Sequence, residues 1–172
     1  YMNGIMKVKK TIYLGLGSNL GNKVENLKKA IYALSNKLGV YSSISSLYES
    51  EPWGFQSKHT FLNIVVEYKT DISPFDLLNN CQQIEKNLGR LAKKGNSYES
   101  RKIDIDILLY EDLILKTTKL TIPHRHISKR RFVLEPLFEI CDKKEILAKY
   151  QSALIKCRNN EELKKNKNHK LF

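Results

Sequence analysis

The stretch Arg101-Lys102-Ile103-Asp104-Ile105-Asp106-Ile107-Leu108-Leu109-Tyr110 alternates isoleucine with acid and reads as a half-buried strand. Ile103, Ile105 and Ile107 point to one side, and Asp104 and Asp106 to the other, because successive strand side chains face opposite ways. At a rise of about 3.3 Å per residue, the two carboxylates stand roughly 7 Å apart on one face. Like charges that close repel unless something positive lies between them. Mg²⁺ suits the gap, since it takes hard oxygen ligands and often uses one or two carboxylates plus substrate phosphates. A solvated strand face is the competing explanation, and this stretch alone does not separate the two.

Working outward, the apolar pattern yields a β-α-β-β-α-β order. Lys10 to Gly17 is a strand. Asn22 with Glu25 three residues on makes a capping box, and Val24, Leu27, Ile31, Leu34 and Leu38 recur at helical spacing until Gly39. Ile44 to Ser50 and Phe61 to Thr70 read as strands. Ser73 and Pro74 open a second helix, with Leu77, Leu78, Cys81, Ile84 and Leu88 as its stripe and Gly89 as its stop. The Asp104/Asp106 strand follows. This order predicts an α+β, ferredoxin-like sheet with helices on one face, the other face open for a site, and C-terminal additions. Phe132 to Ile140 is expected to be a short helix. Residues 1–158 read as a single domain, and 159–172 as a Lys/Asn-rich tail expected to be disordered. Such domains host RNA binders, metal regulators and enzymes, so activity must follow from the site.

The net charge of +12 favours an anionic partner, nucleic acid or polyphosphate. Many lysines lie in the tail, but basic residues also surround the paired aspartates between Lys93 and Arg131. Three cysteines without CxxC spacing argue against a disulfide framework or zinc site and for a reducing compartment, cytoplasmic by default. No apolar run is long enough to span a bilayer.

Taken singly, the other candidates are ambiguous. Gly15-Leu16-Gly17-Ser18-Asn19-Leu20-Gly21-Asn22 could cradle phosphate, but it lacks a P-loop's Gly-Lys-Ser/Thr and reads as a turn whose glycines permit positive φ. Trp53 could close over a flat ligand or fill a hole in the core. Asn63 interrupts an apolar strand, and its amide suits a heterocycle edge or a neighbouring loop. Gln82 and Glu85 lie off the helix-two stripe and read as a wet face. Arg101 can reach phosphate bidentately. His124 is open to three roles: phosphate ligand, phospho-acceptor or loop residue.

The segments Tyr13 to Gly21, Asp104-Ile105-Asp106-Ile107-Leu108, Ile122-Pro123-His124, Arg130 to Phe132 and Leu134-Glu135-Pro136-Leu137 together resemble the 6-hydroxymethyl-7,8-dihydropterin pyrophosphokinase family over roughly Thr11 to Ile140. The resemblance implies the ferredoxin-like fold. It also implies an ATP- and Mg²⁺-dependent transferase of folate biosynthesis that moves pyrophosphate from ATP to the pterin hydroxymethyl group and releases AMP. By position, Asp104 and Asp106 match ligands for two Mg²⁺ ions, and Arg101 and His124 would join them in catalysis. Gln82, Glu85, Arg101, Ile107, His124 and Arg130 match ATP contacts. Ser50, Trp53, Phe61, Asn63 and Phe132 match the pterin pocket. Phe61 replaces a tyrosine common there. Lys94 to Ser100 departs from the family's Arg-Trp-Gly-Pro-Arg lid, leaving Lys93, Lys94 or Lys102 as candidates for its charge. Partners implied are ATP, the pterin and other folate-pathway enzymes, with no nucleic acid or membrane. Two alternatives are tested against this reading. An RNA-recognition module should carry aromatic RNP1 residues, which are absent. A phosphohistidine enzyme would use His124 as nucleophile and release ADP.

Overall fold

The computed structural model describes residues 8–89, 99–166 and 171–172. Its elements are β1 (Lys10–Ser18), α1 (Lys23–Leu38), β2 (Ser43–Ile44), β3 (Tyr48–Ser50), β4 (Phe61–Thr70), α2 (Pro74–Asn87), β5 (Asp104–Tyr110), β6 (Leu115–Lys116), β7 (Thr121–Ile122), α3 (Arg131–Ile140), α4 (Lys144–Asn160) and β8 (Lys164–Lys165). Both sheet-covering helices start as their sequences demand. Asn22 Oδ1 accepts the Glu25 N–H at 3.1 Å, and Ser73 Oγ accepts the Asp76 N–H at 3.2 Å with Pro74 opening the helix. Gly39 and Gly89 end them with φ of 89° and 91°, backbone that a side chain resists.

The main sheet runs β5-β1-β4-β3-β8 through antiparallel pairs, with β2 also on β4. One face is a continuous apolar layer. Ile12, Leu14 and Leu16 of β1, alternate residues of β4, and Ile103, Ile105 and Ile107 pack with Leu27 and Leu34 of α1 and Leu77 and Ile84 of α2. This is a ferredoxin-like α+β arrangement.

The opposite face is divided, and that division positions the site. At one end Tyr13, Val65, Leu108 and Leu109 are covered by Val133, Leu134 and Leu137 of α3 and by Tyr150 and Leu154 of α4. A register shift between Tyr13 and Leu14 lets consecutive Leu108 and Leu109 both join this second core. From Gly15 onward the face is uncovered. The open face expected from sequence is therefore open only at the end that carries the aspartates.

The C-terminal region also differs from expectation in its described part. α4 extends to Asn160, and Lys164–Lys165 pairs with β3 at Tyr48 and Glu49. Leu171 is buried in the first core, and Phe172 stacks on Tyr41 with ring centroids 6.3 Å apart. The expected strand from Ile44 to Ser50 is split into β2 and β3, and Ser45 between them donates its N–H to Val65 O and accepts the Val65 N–H at Oγ.

Candidate active site

β5 is an edge strand, and its pairing with β1 sets Asp104 opposite Gly17 and Asp106 opposite Gly15. β1 also sets Gly17 opposite Asn63 of β4. Two glycines thus form the floor of a cleft between the aspartates and Asn63. A Cβ on Gly17 would lie 3.2 Å from Asn63 Oδ1 and 3.5 Å from the Phe61 ring, and one on Gly15 would lie 3.3 Å from Leu108. These two glycines were expected to serve a positive-φ turn. Instead they lie within the strand, and only Gly21 of that segment has positive φ, 65°.

The aspartates are surrounded by cationic or donor groups. Arg101 Nη1 lies 3.5 Å from Asp104 Oδ1, and Arg130 Nη1 lies 3.1 Å from Asp106 Oδ2. Asp106 Oδ2 is also 3.7 Å from His124 Nε2. Asp104 and Asp106 keep 22% and 30% of their side-chain surface exposed, whereas Arg130 keeps only 6%. The acids therefore face the cleft, and the arginine is held within its wall. The His126 N–H donates to His124 Nδ1 at 3.1 Å, so the ring proton of neutral His124 belongs on Nε2, facing Asp106. Burial, reinforced by Arg130, pushes the His124 pKa down to about 4.

Aromatic groups line the other end. The Arg130 guanidinium lies 4.5 Å from the Trp53 ring centroid and 5.7 Å from that of Phe132. Arg101 sits 5.8 Å from the Phe61 ring, which meets Phe55 edge-on at 6.1 Å. Trp53 therefore lines the cleft and is not a core filler. Asn63 is buried, and its Nδ2 donates to Tyr48 O at 3.2 Å and Ser50 Oγ at 2.9 Å. Its partner is β3, which fixes the amide so that Oδ1 lies on the Gly17 side.

The sequence candidates are thus sorted. Arg101, Asp104, Asp106, Arg130, Ser50, Trp53, Phe61, Asn63 and Phe132 line one cleft, and His124 reaches it through Asp106. Gln82 stands exposed on α2, outside that lining. Glu85 is not on a wet face. It is buried, and its Oε1 accepts the Ile105 N–H at 2.8 Å. The Ile107 side chain lies in the α1/α2 core, so only its backbone is available to a ligand. Lys93 and Lys94 lie outside the described residues. Sequence reading missed Phe55, which also lines the cleft, and the buried Asn19 beside it. A phenylalanine two residues after Trp53 was the available signal for the first; the second lies in the glycine-rich Gly15 to Asn22 stretch, whose spacing gives that residue no role of its own.

The donor set fits a hard divalent cation. Two carboxylates facing the cleft leave most coordination positions to water and substrate oxygens, as Mg²⁺ prefers. Among the described residues no group of three His, Cys, Asp or Glu side chains forms a closed cage. No helix among them is long and apolar enough to cross a membrane.

The family model of 7,8-dihydro-6-hydroxymethylpterin-pyrophosphokinase (HPPK) matches residues 13–142. The 2-amino-4-hydroxy-6-hydroxymethyldihydropteridine pyrophosphokinase of Aquifex aeolicus is 44% identical over 130 residues, covering 76% of this chain and 79% of its own. That of Bacillus subtilis is 40% identical over 134 residues, covering 77% and 79%. Among solved structures, an HPPK-DHPS protein in complex with substrates superposes with a TM-score of 0.69 at 16% identity, over 89% of this chain and 45% of that one. Wild-type HPPK-DHPS from Plasmodium falciparum gives 0.66 at 16% identity, over 88% and 46%. The chain spans under half the length of these two-enzyme structures, which are similar in fold. On the family match and the relatives at 40% identity or more, the chain belongs to the 7,8-dihydro-6-hydroxymethylpterin-pyrophosphokinase family.

Proposed function

We propose that the glycine-floored cleft is where this chain performs its family's reaction. The chain is a pyrophosphokinase of folate biosynthesis that transfers pyrophosphate to hydroxymethyldihydropterin. With ATP as donor, the pterin hydroxymethyl oxygen bonds to the β-phosphorus and the bond from that phosphorus to the α,β-bridging oxygen breaks. AMP leaves with that oxygen, and the hydroxyl proton is released.

The observation that carries this reading is the continuity of one cleft. Paired acids flanked by Arg101, Arg130 and His124 share it with Phe61, Asn63 and Phe132. Asp104 and Asp106 would hold two Mg²⁺ ions, which when bound neutralise triphosphate charge and lower the pKa of the attacking hydroxyl. Phosphoryl-type transfer asks the protein mainly for alignment and charge stabilisation. Arg101 and Arg130 offer planar N–H forks to phosphate oxygens, and neutral His124 offers its Nε2–H. Phe61 and Phe132 provide apolar faces for the pterin ring, and Asn63 Oδ1 accepts from an N–H on its edge. With phenylalanine in place of tyrosine at position 61, that side chain offers no hydroxyl to the pterin. An enzyme of folate biosynthesis is the associate we expect, since the solved neighbours join HPPK to DHPS in one polypeptide.

The phosphohistidine alternative fares poorly because the Nε2 facing the site carries the proton and has no lone pair to attack with. Product analysis separates the two. Incubation with ATP, Mg²⁺ and the pterin should give AMP only when the pterin is present, with no label on the protein from γ-labelled ATP. ADP release, or labelled protein, would refute the assignment.

A further inference from the structure

Asn19, at the end of β1, is only 2% exposed and has no part in the chemistry above. Its backbone N–H donates to Arg101 O at 3.1 Å, and its Oδ1 accepts the Arg101 N–H at 2.7 Å. This is a two-point clamp between residues 82 apart in sequence. The same side chain donates through Nδ2 to Ser100 Oγ at 3.0 Å and to His59 O at 3.3 Å. Ser100 Oγ lies 3.0 Å from Ser57 Oγ, which accepts the His59 N–H at 3.1 Å. An amide alone among short side chains offers two donors and an acceptor at once, and here all three are used.

The clamp lies where the sheet stops. β5 begins at Asp104, so the Arg101 backbone lies outside the β1 ladder. Asn19 continues that attachment by side chain. Arg101 projects from this anchored backbone, its side chain 11% exposed and its guanidinium between Asp104 and Phe61. The Ser57–His59 branch ties the same point to the loop carrying Trp53 and Phe55.

We propose that Asn19 is a positioning residue for Arg101. It fixes the backbone from which that guanidinium reaches the transferring phosphates, and it locks the aromatic loop to the same point. The proposal rests on the assignment of Arg101 to phosphate made above.

A double-mutant cycle tests it, read as kcat for AMP formation and as pterin affinity from the fluorescence of Trp53, the chain's single tryptophan. Misplacement of a catalytic group by 1 Å can cost about 100-fold, so Asn19→Ala should lower kcat by about that factor. Pterin affinity should fall far less. In the Arg101→Ala background, Asn19→Ala should change kcat by no more than about twofold, the scatter of uncoupled sites. An equal loss in both backgrounds would make Asn19 a structural residue only and overturn the proposal. Unchanged turnover in Arg101→Ala itself would overturn the Arg101 assignment, a distinguishable failure that takes the proposal with it. If Asn19→Ala does not fold, the isosteric Asn19→Asp keeps the acceptor for the Arg101 N–H. It should retain far more turnover than Arg101→Ala, and a folded Asn19→Asp as inactive as Arg101→Ala would overturn the proposal.

Discussion

Glu85 Oε1 accepts the backbone N–H of Ile105 at 2.8 Å, and Ile105 is the residue between Asp104 and Asp106. Among the described residues β5 is an edge strand, so part of its backbone has no ladder partner there. A buried carboxylate from α2 supplies one. Removing it leaves a buried N–H unsatisfied, which costs about 1–3 kcal/mol. Glu85→Ala should therefore lower stability in denaturant melts and weaken Mg²⁺–nucleotide binding together. Glu85→Gln keeps an acceptor and should recover most of both. A Glu85→Ala protein as stable as the parent would show that the contact carries no weight.

On the proposed function, His124 would serve as a neutral N–H donor. The side-chain nitrogen of glutamine reaches a similar place and also donates. His124→Gln should therefore keep much more turnover than His124→Ala, for which the loss of one aligned donor predicts about a 100-fold drop in kcat. Equal losses in steady-state assays would indicate that the imidazole does something an amide cannot.

Gly17 is a test of the cleft floor. Its φ is not positive, so alanine fits the backbone without strain. The added methyl would stand 3.2 Å from Asn63 Oδ1 and 3.5 Å from the Phe61 ring, in the space assigned to the pterin edge. One methyl group in a fitted pocket is worth roughly tenfold or more in discrimination. Gly17→Ala should weaken pterin binding by at least that factor in a Trp53 fluorescence titration. Undiminished pterin affinity would place the ligand elsewhere.

The legible parts of this chain were those governed by short-range periodicity. Ile103, Ile105 and Ile107 lie in the core and Asp104 and Asp106 on the cleft side because a strand admits no other arrangement. The helix caps at Asn22 and Ser73 are equally local. Glu85 was misread because a carboxylate off the apolar stripe looks solvated, and its partner lies 20 residues away on another element. Gly15 and Gly17 were misread as turn residues because their role depends on what stands across two strand pairings. α4 escaped notice because its buried residues, Tyr150, Leu154 and Cys157, are few among lysines and polar groups. The strand at Lys164–Lys165 has no apolar signature at all; backbone pairing with β3 makes it.

The junction between α3 and the far edge of the sheet should be sensitive to acid. Glu139 accepts the Ser46 N–H at 3.1 Å, Ser46 Oγ at 2.6 Å and the Tyr48 hydroxyl at 2.7 Å, with Lys165 at 3.4 Å. Burial acts to raise its pKa, but the hydrogen bonds from Ser46 and Tyr48 outweigh it and hold the carboxyl below the ordinary 4.5. Glu135 is likewise held low, chiefly by its hydrogen bonds with Arg158 and also by Arg131. Below pH 4.5 the unfolded chain then binds more protons at these two sites than the folded one. Their contribution is complete above pH 4.5 and is lost as pH falls through the lower folded values. Glu139→Gln should reduce stability at neutral pH, and its urea-melt stability should decline less steeply than the parent's below pH 4.5. Parallel pH curves for the variant and the parent would mean that Glu139 titrates alike in both states and that its contacts do not stabilise this edge.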